Sequence, residues 1–332
     1  MLDKSWWRVN WFVGEGYRHH YFLAPARLVG GRIELPAARL LHKDGWDASS
    51  RFAALPNSNS WLRTTIDLST ATMVALEPRR KPRRLARMDS KDGSEARIET
   101  ARALTRSGKY LLLVDDRELR RIDTTSGEIV ERSQTSPLLE LRRVLYAHLG
   151  STGTWWLTED LRYVIVAPSD WEYAGGAKGS VESTPLRLFG VDFNLQTQGL
   201  IYDRTSGSFS PFALEVQLHD VEKHYRTQLA DAESVDGEVR LLYDAGSYGP
   251  EKTPIILTPQ LDGRGRCAIR FRRQGPPIDF CWRPQRQRLW LVEPDLGPRP
   301  SLRVHVWDTS GTAVETYELT QADIERSIRA AR

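Results

Sequence analysis

The chain has 332 residues, of which 40% are hydrophobic and 27% charged, and 47 basic against 43 acidic side chains leave a net charge of +4. This balance is globular rather than disordered, and it falls well short of the basic excess of a dedicated nucleic-acid binder. No apolar run approaches the roughly 18 residues needed to span a bilayer, and Cys267 and Cys281 are too few for a disulfide scaffold or a zinc site.

In chain order, the N-terminal stretch MLDKSWWRVNWFVGEGYRHHYFL interrupts every apolar run with charge, so it reads as neither a signal nor a transit peptide, and a cytoplasmic location is expected. Trp6, Trp7 and Trp11 fall here and, with Trp46 further on, are suited to sheet packing or to an aromatic patch. Asp67 in IDLSTATMVAL is the first of four Asp turns, followed by Asp123 in LRRIDTTSGEIVERS, Asp203 in LIYDRTSGSFSPF and Asp308 in VHVWDTSGTAVETYEL. Asp and Ser side chains accept hydrogen bonds from nearby backbone N–H groups and Gly tolerates positive φ, so each copy is expected to be a hairpin turn joining two outer strands. The basic run Arg79, Arg80, Lys81, Arg83, Arg84 and Arg87 is broken by Pro82 and reads as an exposed loop that attracts phosphate, acidic protein or anionic lipid. Strands are expected at 110–114, 162–166 and 289–292, without the amphipathic helices of βαβ units.

The segment 167–184, APSDWEYAGGAKGSVEST, is the best candidate for a functional loop. Its glycines make it pliable, and Trp171, Tyr173 and Lys178 offer large rigid contact groups and a cation. Lys178 precedes Gly179, which breaks the spacing of a phosphate-binding loop. Leu214, Leu218, Val221, Tyr225 and Leu229 recur at helical spacing and predict a helix over 213–230. Eight arginines fall in 264–288; in CAIRFRR, strand alternation sets Cys267, Ile269 and Phe271 on one face and Arg270 and Arg272 on the other, with Arg273 beside them, suited to bidentate pairing with carboxylates. Thr320 and Asp323 have capping-box spacing and Leu319 and Ile324 staple spacing, so 319–332 reads as a docking helix.

VHVWDTSGTAVETYEL, with its Trp307-Asp308 pair, resembles the third and fourth strands of a WD-type propeller blade, and SGKYLLLVDDRELRRIDTTSGEIVE resembles a blade of the broader WD and quinoprotein-like group. The two segments cover about 40 residues, and no unit opens with a Gly-His pair. Together with the turn repeat, the resemblance implies an all-β propeller of seven, or six, irregular blades over 1–318. Propellers of this kind are mostly platforms for protein binding, although related ones are enzymes.

The chain has no HExxH, no G-x-S-x-G and no CxxC. His19 and His20 would point opposite ways on a strand, and the carboxylate pairs Asp115-Asp116 and Glu159-Asp160 fall in turns, where they cap backbone groups. No cofactor is expected. The preferred reading is a non-catalytic protein-binding or scaffold propeller, a subunit of a bacterial assembly or a toxin-neutralising partner, holding an acidic protein surface with Trp171, Tyr173, Lys178, Arg270, Arg272 and Arg273. Two other readings stay open: a propeller hydrolase or lyase with a central-pocket site, and a polyanion or anionic-lipid binder that uses 79–87 for peripheral membrane contact.

Overall fold

The computed structural model describes residues 5–12, 19–35, 39–44, 51–54, 61–66, 70–76, 83–89, 100–167, 186–195, 197–216, 225–226, 228–245, 253–258, 266–270, 279–283, 288–295, 301–308 and 313–330. Side chains are described mainly within 100–167, 186–214, 229–242 and 301–330. The chain divides into two compact units, one formed by Met1–Ile98 with Gly275–Arg332 and the other by Glu99–Gln274.

The first unit opens with β1 (Ser5–Phe12), β2 (His19–Val29), β3 (Arg32–Glu34) and β4 (Arg39–Asp44), then β5 (Arg51–Ala54), β6 (Trp61–Ile66), β7 (Thr70–Leu76) and β8 (Arg83–Asp89). The second holds β9 (Ala101–Leu104), β10 (Tyr110–Val114), β11 (Leu119–Asp123), β12 (Ile129–Ser133), α1 (Pro137–Leu149), β13 (Thr154–Leu157) and β14 (Tyr163–Ala167). It continues through β15 (Leu186–Leu188), β16 (Val191–Phe193), β17 (Gln198–Asp203), β18 (Ser208–Ala213), β19 (Glu215–Val216) and β20 (Tyr225–Arg226). It ends with β21 (Gln228–Val235), β22 (Glu238–Ala245), β23 (Thr253–Thr258) and β24 (Arg266–Arg270). The chain then returns to the first unit with β25 (Asp279–Arg283), β26 (Arg288–Asp295), β27 (Ser301–Trp307), β28 (Ala313–Thr320) and α2 (Gln321–Arg329).

In the first unit β5 to β8 form one antiparallel meander, and a larger sheet runs β1-β2-β3-β28-β27-β26-β25 with β4 also on β2. The one parallel pairing recorded among described strands sets Arg32 opposite Glu318 and ties β3 to β28. Ile33, Val304 and Leu319 are buried together, and Ile324 of α2 packs on them. The capping box closes as the spacing predicts: the Asp323 N–H donates to Thr320 Oγ1 at 3.2 Å, and the Thr320 N–H donates to the Asp323 carboxylate at 3.3 Å. Asp67 lies outside the described residues, but the strands it joins, β6 and β7, are the middle pair of their sheet and not the outer pair expected.

The second unit carries three four-stranded antiparallel sheets, β9–β12, β13-β14-β17-β18 and β21–β24, with small hairpins β15–β16 and β19–β20. Period-2 alternation divides the inner strands β14 and β17 between two cores. On β14, Val164 and Val166 enter one core while Tyr163, Ile165 and Ala167 enter the next; on β17, Leu200 and Tyr202 take the first and Ile201 the second. A strand with apolar residues on both faces must lie between two layers, which explains the unbroken runs YLLLV and YVIVA. Helix α1 caps the first core with buried Leu138, Leu139, Leu141 and Leu145. Ser136 starts it by accepting the Leu138 N–H, Pro137 opens its first turn, and Gly150 ends it at φ 65. Truncating Leu112, fully buried in this core, would cost about 2–5 kcal/mol.

The helix predicted over 213–230 is not formed at the described residues of that span. Ala213 closes β18, and 215–216, 225–226 and 228–235 are extended, while 217–224 lie outside the described residues. Pairing decides this: Ala213 sits opposite Gln198, and Leu229 opposite Tyr243 is buried as a strand residue against the core of β14 and β17.

Candidate functional site

Two of the sheets in the second unit are copies of one chain repeat. Thr105 and Thr158 are 53 residues apart, whereas Asp123 and Asp203 are 80 apart, so the second copy carries 27 extra residues between β14 and β17. In both copies a buried Thr organises the first turn. Its hydroxyl accepts the N–H of Tyr110 or Tyr163 at 3.0 Å, and its own N–H donates to that tyrosine's carbonyl. In both copies the Asp caps the second turn, accepting the Thr125 or the Thr205 N–H at 2.8 Å. Gly127 and Gly207 close these turns with N–H bonds to the Asp carbonyls.

The turn end of these sheets is committed to internal pairing. Ser107 donates its N–H and hydroxyl to Glu159 at 2.9 and 2.5 Å, and the Glu159 N–H donates to Glu233 at 2.9 Å. Arg106 is paired with Asp231 and lies 3.5 Å from Glu233, whose side chain is 2% exposed. Burial pushes the Glu233 carboxyl above its ordinary value, against the Glu159 and Ser234 N–H groups and the Arg106 charge. Arg204 reaches from the second copy to both oxygens of Glu131 in the first at 2.6 Å, and Arg162 holds Asp203 below the usual carboxylate range. Asp115 and Asp160 cap their own turns, as the sequence predicts.

The opposite end is where the copies diverge. Thr154 pairs with Ala167, so the exit of α1 and the start of the insertion lie at the same end of the sheet, away from the turn at Thr158–Tyr163. The described part of the insertion is the β15–β16 hairpin, which packs Leu186, Leu188 and Val191 on the first core and buries Phe193 and Leu195. Its tip is Phe189-Gly190, and Phe189 has φ 52. For a bulky L-residue that left-handed conformation costs on the order of 1–2 kcal/mol. The ring stacks on Phe209 at 4.7 Å and 13°, a contact worth about 0.5–1.5 kcal/mol beyond area burial.

No family model and no curated protein matches this chain. Among solved structures, the outer coat vertex of COPII on membranes is similar over 90% of this chain and 72% of its own, with a TM-score of 0.43 and 11% identity. Apo AztD from Citrobacter koseri is similar over 95% and 98%, with a TM-score of 0.41 and 9% identity. A β-propeller domain from Myceliophteria thermophila is similar over 82% and 76%, with a TM-score of 0.37 and 16% identity. These are weak likenesses of β-rich folds.

Trp171, Tyr173 and Lys178 fall in the insertion, and Arg272 and Arg273 follow β24; all five lie outside the described residues. Arg270 ends β24 opposite Ile255. The register steps from Leu257–Cys267 to Ile256–Ile269, so strict alternation does not run through Ala268 as expected. All six belong to the second unit. The basic run belongs to the first unit and is not wholly a loop: Arg79, Arg80 and Lys81 lie outside the described residues, while Arg83, Arg84 and Arg87 are in β8 opposite Ala75, Val74 and Thr72. Pro82 sits just before that strand, where its missing N–H costs no ladder bond. Arg84 is exposed. Sequence reasoning missed α1 and the hairpin tip; Ser136-Pro137 and Gly150 were available signals for the helix. Among the described residues no group of three His, Cys, Asp or Glu is placed to hold a metal ion, and no helix is long and apolar enough to cross a membrane.

Proposed function

We propose that the chain is a protein-binding scaffold without catalytic chemistry, in which the insertion between β14 and β17 presents Trp171, Tyr173 and Lys178 to an acidic partner surface and Arg270, Arg272 and Arg273 add charge complementarity. The observation that carries this reading is the mismatch between the two repeat copies. The organising Thr and capping Asp are kept at one end, while 27 residues are added at the other, and added connections on a rigid sheet are where binding groups collect. Aromatic anchors in such a segment supply the energy of an interface, and arginines supply orientation and specificity.

The fold reading that accompanies this is an irregular propeller over 1–318 with 319–332 as its docking helix. Four four-stranded sheets among the described strands, with β25–β28 and the β1-β2-β4 set as two parts of the larger sheet, are compatible with the six-blade alternative to seven. The setting proposed is cytoplasmic, as a subunit of a larger bacterial assembly or a toxin-neutralising partner.

The test is gentle affinity purification of the full chain with mass spectrometry of what accompanies it. Trp171→Ala with Tyr173→Ala, and separately Arg270→Glu with Arg272→Glu and Arg273→Glu, should each remove the same protein while the far-UV spectrum is unchanged. Retention of that protein by both variants, or recovery of none by the unaltered chain, overturns the reading.

A further inference from the structure

We infer that α2 is a clasp across the two chain segments that build the first unit, so that its docking decides whether β3 stays joined to β28; the inference is independent of the partner-binding reading. That unit is assembled from Met1–Ile98 and Gly275–Arg332, which are far apart in sequence because the whole second unit is inserted between them. Among the described strands, the larger sheet passes from one segment to the other at one place, β3 beside β28. The joint is short. A single parallel pair, Arg32 with Glu318, is recorded there, and the Glu318 N–H donates to the Gly31 carbonyl at 3.2 Å. β3 itself has three residues, and so few ladder bonds do not hold strands together in water without side-chain packing.

The packing comes from one small cluster to which three elements contribute. Ile33 enters it from β3, Val304 and Leu319 from β27 and β28, each at most 2% exposed, and Ile324 of α2 packs on that cluster. Leu319 directly follows the bridged Glu318, so the residue that crosses the joint through its backbone is followed by one that crosses it through its side chain. Leu35 on one segment and Leu302 and Tyr317 on the other border the same cluster.

The helix is built for this place. Its nine residues are too few to persist as a helix alone in water, so its form depends on docking. Its start is fixed to the joint, because Thr320 is both the last residue of β28 and the cap: its hydroxyl donates to the Asp323 carboxylate at 2.6 Å and accepts the Asp323 N–H at 3.2 Å. Ser327, 3% exposed, follows Ile324 by three residues on the same face. Arg326 and Arg329 pair with Asp323 and Glu325 at 3.3 and 3.4 Å and remain largely exposed. Undocking α2 opens one wall of the cluster and leaves the joint to its one bridged pair and Ile33, so helix docking and closure of the joint are coupled.

Residue-resolved amide hydrogen exchange on the full chain tests this. In Ile324→Asp, which sets a charge against the cluster, the Glu318 N–H should exchange at least about tenfold faster, together with the amides of α2, while β26 and, in the second unit, β10 and β14 keep their rates. Thr320→Val, which removes the cap and leaves the cluster intact, should move the same amides in the same direction by a smaller factor. Ile324→Leu, close in volume, should leave them within about twofold of the unaltered chain. Unchanged exchange at Glu318 while the α2 amides lose protection overturns the clasp, because the joint then closes without the helix. So do α2 amides that stay protected in Ile324→Asp, and so does acceleration of β26, β10 and β14 equal to that of Glu318, which is general destabilisation.

Discussion

The sheets β9–β12 and β13-β14-β17-β18 are the same construction carried to different ends. Both fold their first turn around a buried threonine and their second around a capping aspartate. Between these shared residues the turn end differs at several positions, two of them bulky: Leu161 stands at φ 62 where the first copy has Gly108 at φ 73, and Arg204 stands where it has Thr124. Both changes are used internally, since Arg204 donates to the Leu161 carbonyl at 2.8 Å and to Glu131 of the neighbouring sheet. The insertion end of the second copy instead gains 27 residues. The lesson is a division of labour: turn residues hold sheets to one another, and the connection that differs is the one free to acquire a binding role.

The comparison breaks most forcefully at Glu233, which receives the Glu159 N–H of one copy and faces Arg106 of the other. Glu233→Ala leaves the Glu159 N–H without its acceptor and takes one of its carboxylates from Arg106, which keeps Asp231, and should cost about 1–3 kcal/mol by urea denaturation; no measurable loss would show that the turn end is not a tied seam. A sharper test pairs Thr105→Val with Thr158→Val. Each strands a tyrosine N–H and should cost about 1–3 kcal/mol, equally in the two copies; losses differing by more than about 1 kcal/mol would deny their equivalence. A smaller effect contrasts the αL positions. Gly108→Ala should lose on the order of 1–2 kcal/mol to backbone strain, whereas Leu161→Gly should be near neutral, because relief of the same strain offsets the packing lost against the core.

Sequence reading reached the parts of this architecture that short-range physics determines. The turns at Asp123 and Asp203 and the strands at 110–114 and 162–166 follow from Asp, Ser and Gly chemistry between apolar runs, and the Thr320–Asp323 cap from spacing alone. It failed where pairing between distant segments decides. The stripe Leu214 to Leu229 fits a helix locally, yet β21 is extended because its partner is β22. Asp67 carries an outer-turn signature but sits between middle strands, since strand order in a sheet is not written in a turn. At the candidate site, the insertion is visible as a Gly-rich loop with two aromatics, while the stack of Phe189 on Phe209, 20 residues on, has no local signal.

The finest separation of the two copies is by acid titration. Burial alone would raise the Glu131 and Asp160 carboxyls, but hydrogen bonds outweigh it, from Arg204 and Arg121 to Glu131 and from Thr158 and the Arg162 N–H to Asp160, so both end below their ordinary values. Asp203 is lowered chiefly by Arg162. A carboxylate lowered in the folded state contributes stability that is present above its unfolded value and is lost as pH falls through the folded value. Glu233, raised by burial, acts in the opposite sense: its contribution is present below the ordinary range and is lost as pH rises through the raised value. Glu131→Gln should therefore cost about 1 kcal/mol near neutral pH, discounted for its partial exposure. That difference from the unaltered chain should shrink as pH falls below the ordinary glutamate value of 4.5. Glu233→Gln should show the reverse trend, its deficit growing toward acid. Parallel stability–pH curves for Glu131→Gln and the unaltered chain would mean that Arg204 does not bind the two copies through charge, and the bridge between sheets would then be one of packing alone.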